Sequence, residues 1–121
     1  MKMKKFDKEI AAVKALINEN LQDVERILSD VAPEKAFWFC NGIIVKNLQD
    51  MPKVLNSIDE KTFAYHVNNE KNDIARWIYD VIQDEALAKS IEKLKKKSTM
   101  SRRIQGRIEY LNNIKESLRD L

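Results

Sequence analysis

Few side chains in this sequence could do chemistry at a fixed site, and their types and spacing exclude most reactions. His66 is the sole histidine and Cys40 the sole cysteine. One of each cannot assemble the Cys and His sets that hold zinc. His66, Glu70 and Asp73 would share a face only if one helix ran unbroken through Asn68-Asn69, and asparagine is a poor helix former. Nucleophilic catalysis needs a hydroxyl or thiol activated by a neighbouring base. No serine is flanked by glycines, and Cys40 falls beside an expected turn rather than at a helix start, where a thiol ionises more easily. Gly42 and Gly106 lie too far apart to form a glycine-rich phosphate loop. The acidic residues are scattered over expected helix faces, a pattern of solvation rather than of paired-carboxylate catalysis. The chain is therefore expected to bind and not to catalyse, with no metal, cofactor or small-molecule substrate.

One charge pattern could bind something. Lys93, Lys95, Lys96, Lys97, Arg102, Arg103 and Arg107 crowd into residues 93–107 with no acidic neighbour. The rest of the chain then holds 15 basic against 19 acidic residues, a net of −4 within an overall +3. Such an island suits phosphate contacts on nucleic acid, structured RNA or a ribosome included. No aromatic residue interleaves it, so base stacking is not expected there. Lysines also favour the last turn of a helix for its dipole alone.

The elements that must carry these residues read mostly as helices. Only two glycines and two prolines occur in 121 residues, too few to turn the chain through a β-sandwich or barrel. Ile10, Val13, Ile17, Val24, Ile27 and Val31 step by threes and fours, with Asn20 in the same seam, which predicts a long helix over 7–31 closed by Pro33. A polar residue in such a seam, when buried, fixes register at some cost in stability. Phe37 to Val45 mixes aromatic and β-branched residues around Asn41-Gly42, a hairpin signal over 37–45 in which both turn residues take positive φ. Shorter helices are expected over 48–57 (cap Asn47), 59–67 (capping box from Ser57), 73–82 (cap Asn72 or Asp73) and 85–97 (cap Asp84). A last helix, capped by Thr99 or Ser101, carries Ile104, Ile108, Leu111, Ile114, Leu118 and Leu121. Lys93, Lys96 and Lys97 would share one helix face, and Arg103 and Arg107 a face of the next. None lies on an apolar stripe, so their loss should leave the fold intact.

The expected fold is mainly α, about five to six helices with one two-stranded hairpin, in a single domain over 1–121. Within it, 1–33 forms the N-terminal helix, 36–97 a hairpin and short-helix core, and 99–121 the C-terminal helix. A lone cysteine permits no internal disulfide and suits a reduced, cytoplasmic setting. No apolar run approaches the roughly 20 residues of a membrane span, and Asp7, Glu9 and Lys14 break any secretion signal.

The run Phe37-x-Phe39-x-x-Gly42, Leu48, Leu55, Phe63-x-x-His66-Val67, Asn72-Asp73-Ile74-x-x-Trp77-Ile78 and Leu87-Ala88 resembles a family of small prokaryotic domains, frequent in archaea, with no assigned activity. The likeness spans about residues 36–92 and leaves out both outer helices and the basic island. Ile74 stands where that pattern has Phe. The resemblance implies a shared core and no particular function.

Two binding roles follow. The first is a protein-interaction or assembly module, possibly homodimeric in the sense that self and foreign partners fit equally, using the seam of Ile10, Val13, Ile17, Val24, Ile27, Leu111, Ile114 and Leu118. The alternative is nucleic-acid binding, RNA or DNA, through 93–107.

Overall fold

These stripes and turns resolve into a mainly helical fold in a computed structural model that describes residues 5–120, with side chains described for 7–13 and 20–120. The helices are α1 (Lys5–Leu28), α2 (Met51–Ser57), α3 (Glu60–His66), α4 (Asp73–Trp77), α5 (Glu85–Ile91) and α6 (Lys97–Arg119). Strands β1 (Phe37–Trp38) and β2 (Ile44–Val45) form an antiparallel hairpin. Short 3-10 turns at Pro33–Lys35 and Leu48–Asp50 lead into the hairpin and α2, and α4 runs on into a π-helical turn, Ile78–Ile82.

The hairpin turns differently from the expectation. Phe37 pairs with Val45 and Trp38 with Ile44. The Phe39 N–H then donates to Ile43 O at 2.8 Å, and the Gly42 N–H to Phe39 O at 2.9 Å. Gly42 alone has a positive φ, 93°. The loop is therefore Cys40-Asn41-Gly42 with glycine at the bulge, the three-residue hairpin form, and Asn41 instead accepts the Ile43 N–H through its side chain at 3.1 Å. Alternation holds: Phe37, Phe39 and Val45 face inward, while Trp38 is 63% exposed.

Helix ends follow polar caps where these are local. Asn47, Asp59, Asn72 and Asp84 each accept a backbone N–H from the first turn that follows. The cap of α3 is thus Asp59 rather than Ser57, and the Thr62 N–H holds the Asp59 carboxyl below its usual range. Three ends depart from expectation because distant groups intervene. α1 stops at Leu28 since the Val31 N–H is taken by Lys46 O at 2.7 Å, beside the hairpin. α5 stops at Ile91, where the Asn72 amide donates to Ile91 O at 3.0 Å and Glu92 O at 3.3 Å. α6 starts at Lys97, ahead of both expected caps, and Ser101 is buried with its hydroxyl on Pro52 O at 3.2 Å. Residues 92–96 are consequently a turn, and Lys93, Lys96 and Lys97 share no helix face.

The core lies where α6 crosses the short helices. Met100, Ile104, Ile108 and Leu111 recur every three or four residues along α6 and are buried, and α6 packs against α2, α1 and α5. Leu48, Met51, Leu55, Ile74, Ile78 and Ile91 are also fully buried. Each such side chain contributes about 1.5–3 kcal/mol by leaving water. Trp77 ties the hairpin to this core. It is 7% exposed, its ring meets Phe37 edge-on at 5.8 Å, and its Nε1–H donates to Lys35 O at 2.8 Å.

Emptying that site should be costly and emptying the exposed Trp38 site should not. Trp77→Ala is expected to lose about 3–5 kcal/mol and Trp38→Ala to stay within about 0.5 kcal/mol of wild type. Urea unfolding of both variants checks this, and equal midpoints would contradict the core assignment.

Candidate functional site

The basic segment does not act as one solvated surface, because the fold uses several of its cations. The chain enters α5 through Gln83, whose φ of 61° is left-handed, and Asp84 follows at 3% exposure. A carboxylate so deep needs a cation and donors. Its Oδ1 accepts the Leu87 N–H at 3.2 Å, and its two oxygens take Arg107 Nε at 2.8 Å and Nη2 at 2.9 Å. The bidentate fork welds α6 to the start of α5. From the other side, Arg26 of α1 donates to Ile82 O at 2.7 Å and to Gln83 O at 3.4 Å. Arg107 is therefore a structural residue, and its replacement would not spare the fold as expected from its place off the apolar stripe.

Three more cations have protein partners. Lys97 Nζ donates to Ile58 O, the last carbonyl region of α2, and Glu60 lies 3.9 Å away. Lys95 Nζ donates to the Asn69 side chain. Arg103 Nη1 donates to Ser90 O at 3.0 Å. Among the described residues Lys93, Lys96 and Arg102 have no side-chain hydrogen bond or ion pair.

What the fold does assemble is a groove between α5 and α6, about 590 Å³ in volume. Ala86, Leu87 and Ser90 form one wall, and Thr99, Arg102, Arg103, Gly106, Arg107 and Tyr110 the other. These α6 positions recur at helical spacing on one face. Tyr110 lies outside the basic segment as read from sequence. It is 55% exposed, and the Arg107 guanidinium sits 5.4 Å from its ring centre. Its spacing of three from Arg107 and seven from Arg103 was the signal that placed it on the same face.

His66 belongs to a second polar centre. It is buried among Phe37, Phe39 and Tyr65, with ring centres 4.9–5.3 Å away. Its Nδ1 lies 3.0 Å from Asp73 Oδ2, and its Nε2 accepts the Cys40 backbone N–H at 2.9 Å. This fixes the tautomer with the proton on Nδ1, donated to Asp73. Lys71 also reaches Asp73, at 2.9 Å, and that hydrogen bond holds the Lys71 ammonium above its usual range. Both ring nitrogens are engaged, so His66 joins the hairpin turn to α3 and α4 and has no lone pair left for a ligand. Asn72 is likewise occupied, by its cap and by the end of α5. The Cys40 thiol is exposed.

The seam residues separate into two groups. Val24, Ile27 and Leu111 are buried in the chain's own core, with Ile114 and Leu118 half-buried between α1 and α6. Ile10 and Val13 are 39% and 56% exposed. Asn20 is exposed, so it is not the buried register residue that the seam suggested. The Ile17 side chain lies outside the described residues. No described helix is long and apolar enough to cross a membrane. Comparison with protein-family models, curated proteins and solved structures gives no match to this chain.

The Asp84–Arg107 pair makes a testable contrast within the basic segment. Arg107→Gln leaves a buried carboxylate without its cation and is expected to cost about 3–5 kcal/mol. Arg102→Gln, exposed and unpaired, should shift stability by no more than about 0.5 kcal/mol. Denaturant midpoints of the two variants measure this, and a harmless Arg107→Gln would mean the pair does not secure the groove.

Proposed function

We propose that the protein is a non-catalytic interaction module that assembles through the N-terminal half of α1. The observation that carries this reading is the open stretch 7–13, in which every residue is exposed although Ile10 and Val13 continue the seam that Val24 and Ile27 bury under α6. A seam repeating at alternating threes and fours suits a partner helix. Beyond the part of α1 that α6 covers, the same stripe has nothing on it among the described residues.

The occupant that fits best is a second copy. A two-fold pair makes the same patch meet itself, and antiparallel α1 helices would set Ile10 of each copy against Val13 of the other. In that register Asp7 of one copy opposes the position of Lys14 in the other, a pairing of unlike charges given by the sequence alone. The partner helix would then take up the seam where α6 leaves it, without displacing α6. Nucleic-acid binding by all seven basic residues has less support, because Lys95, Lys97, Arg103 and Arg107 already have intramolecular partners.

Sedimentation velocity of wild type and of Ile10→Lys/Val13→Lys tests the proposal. Wild type is expected to self-associate with rising concentration, and the double variant to remain monomeric with an unchanged unfolding midpoint, since both positions are already exposed. Wild type that stays monomeric throughout, or a double variant that associates equally well, would overturn it.

A further inference from the structure

We infer that the α5–α6 groove binds a nucleotide unit, with its phosphate on Arg102 and Arg103 and its base on Tyr110. The inference does not rest on the α1 seam and uses none of its residues.

Charge is the first part of the case. Asp84 neutralises Arg107 from behind, and no carboxylate lines the groove. That leaves Arg102 without a side-chain partner and Arg103 with a single hydrogen bond to Ser90 O. A guanidinium carries five donors in a fixed fork that matches phosphate oxygens, so both side chains retain most of their capacity. A simple anion would need no more than these.

The groove also offers what a simple anion does not use. Arg107, held rigid by two hydrogen bonds from Asp84, lies 5.4 Å from the Tyr110 ring centre, and Tyr110 is still half exposed. The ring is thus positioned before any ligand arrives and can stack a base. Between the arginines and the tyrosine stands Gly106, and a Cβ built there meets nothing within 4 Å. The space is open where any other residue would project a side chain into it. Arg103 and Tyr110 are seven residues apart, roughly 10 Å of helical rise. That separation suits a phosphate and the base of its own or the adjoining nucleotide. Lys93 and Lys96, in the turn that joins the two helices, add unpaired positive charge at the Ser90 and Thr99 end. The absence of an aromatic residue from 93–107, which argued against stacking, is corrected by the helix face that brings Tyr110 in.

The test is fluorescence anisotropy with a labelled oligouridylate at two salt concentrations, with uridine monophosphate and inorganic phosphate as competitors. Arg102→Gln/Arg103→Gln should weaken binding and flatten the salt dependence by about 0.7 per lost phosphate contact in the log–log slope. Tyr110→Ala should lower affinity roughly five- to hundredfold, from the loss of one stacked base, with little change in that slope. Gly106→Leu fills the gap with a residue that favours helix, so it should abolish binding while circular dichroism stays that of wild type. Each variant is checked by its unfolding midpoint. If the monophosphate competes as well as the strand, the natural ligand is a free nucleotide, and if the strand wins by far it is single-stranded nucleic acid; either supports the site. The inference fails if neither probe binds saturably, if Tyr110→Ala or Gly106→Leu binds like wild type, or if inorganic phosphate competes as well as the nucleotide.

Discussion

Asp84 has nowhere to place its charge except on groups brought to it by the rest of the fold. At 3% exposure its carboxylate cannot be hydrated, so it must receive donors from protein. It takes the Leu87 N–H of α5 and both arms of Arg107 from α6. The two residues before it are gripped by Arg26 from α1. Three helices that are remote in sequence therefore meet at one corner of three residues, 82–84. Apolar packing alone would let α6 slide or rotate over α5, whereas a bidentate fork allows one register. The groove, its arginines and the orientation of Tyr110 all depend on that register.

How much of this could be read from the chain depended on the distance over which the deciding contact acts. Local rules served well. The stripe on α6, the caps Asn47, Asn72 and Asp84, and the inward Phe37 and Phe39 all involve residues within a few positions of each other. Where a distant partner intervened, the local pattern misled. Leu94 and the lysines around it continue a helical pattern, yet the Asn72 side chain closes α5 at Ile91 from 19 residues away. Val31 likewise fits the seam of α1 but gives its N–H to Lys46.

The basic segment shows the same limit for the candidate site. As a string of charges it looks like a single surface. In the fold, Arg107 supports a buried carboxylate and Lys97 holds a carbonyl of the neighbouring helical turn, while Arg102 and Arg103 border a groove whose aromatic member is Tyr110. Composition counts cations and cannot say which are already engaged. That distinction needs Asp84 and Arg107 to be known as neighbours, and they are 23 positions apart.

The π-helical turn before this corner carries a consequence for how the chain can vary. Its Gln83 N–H reaches back five residues to Ile78 O, and the Asp84 N–H bonds the same oxygen at 3.2 Å. A π-turn holds one residue more than an α-turn over the same bonds. Deleting any one residue between Ile78 and Ile82 would let the segment relax into ordinary α-helix, and everything after it would turn by about 100°. Asp84 would then face away from Arg107. Tyr79 and Asp80 are exposed there and free to change in kind, yet neither can be dispensed with, because that stretch works as a spacer whose count of residues, and not their chemistry, sets the angle at which α5 departs.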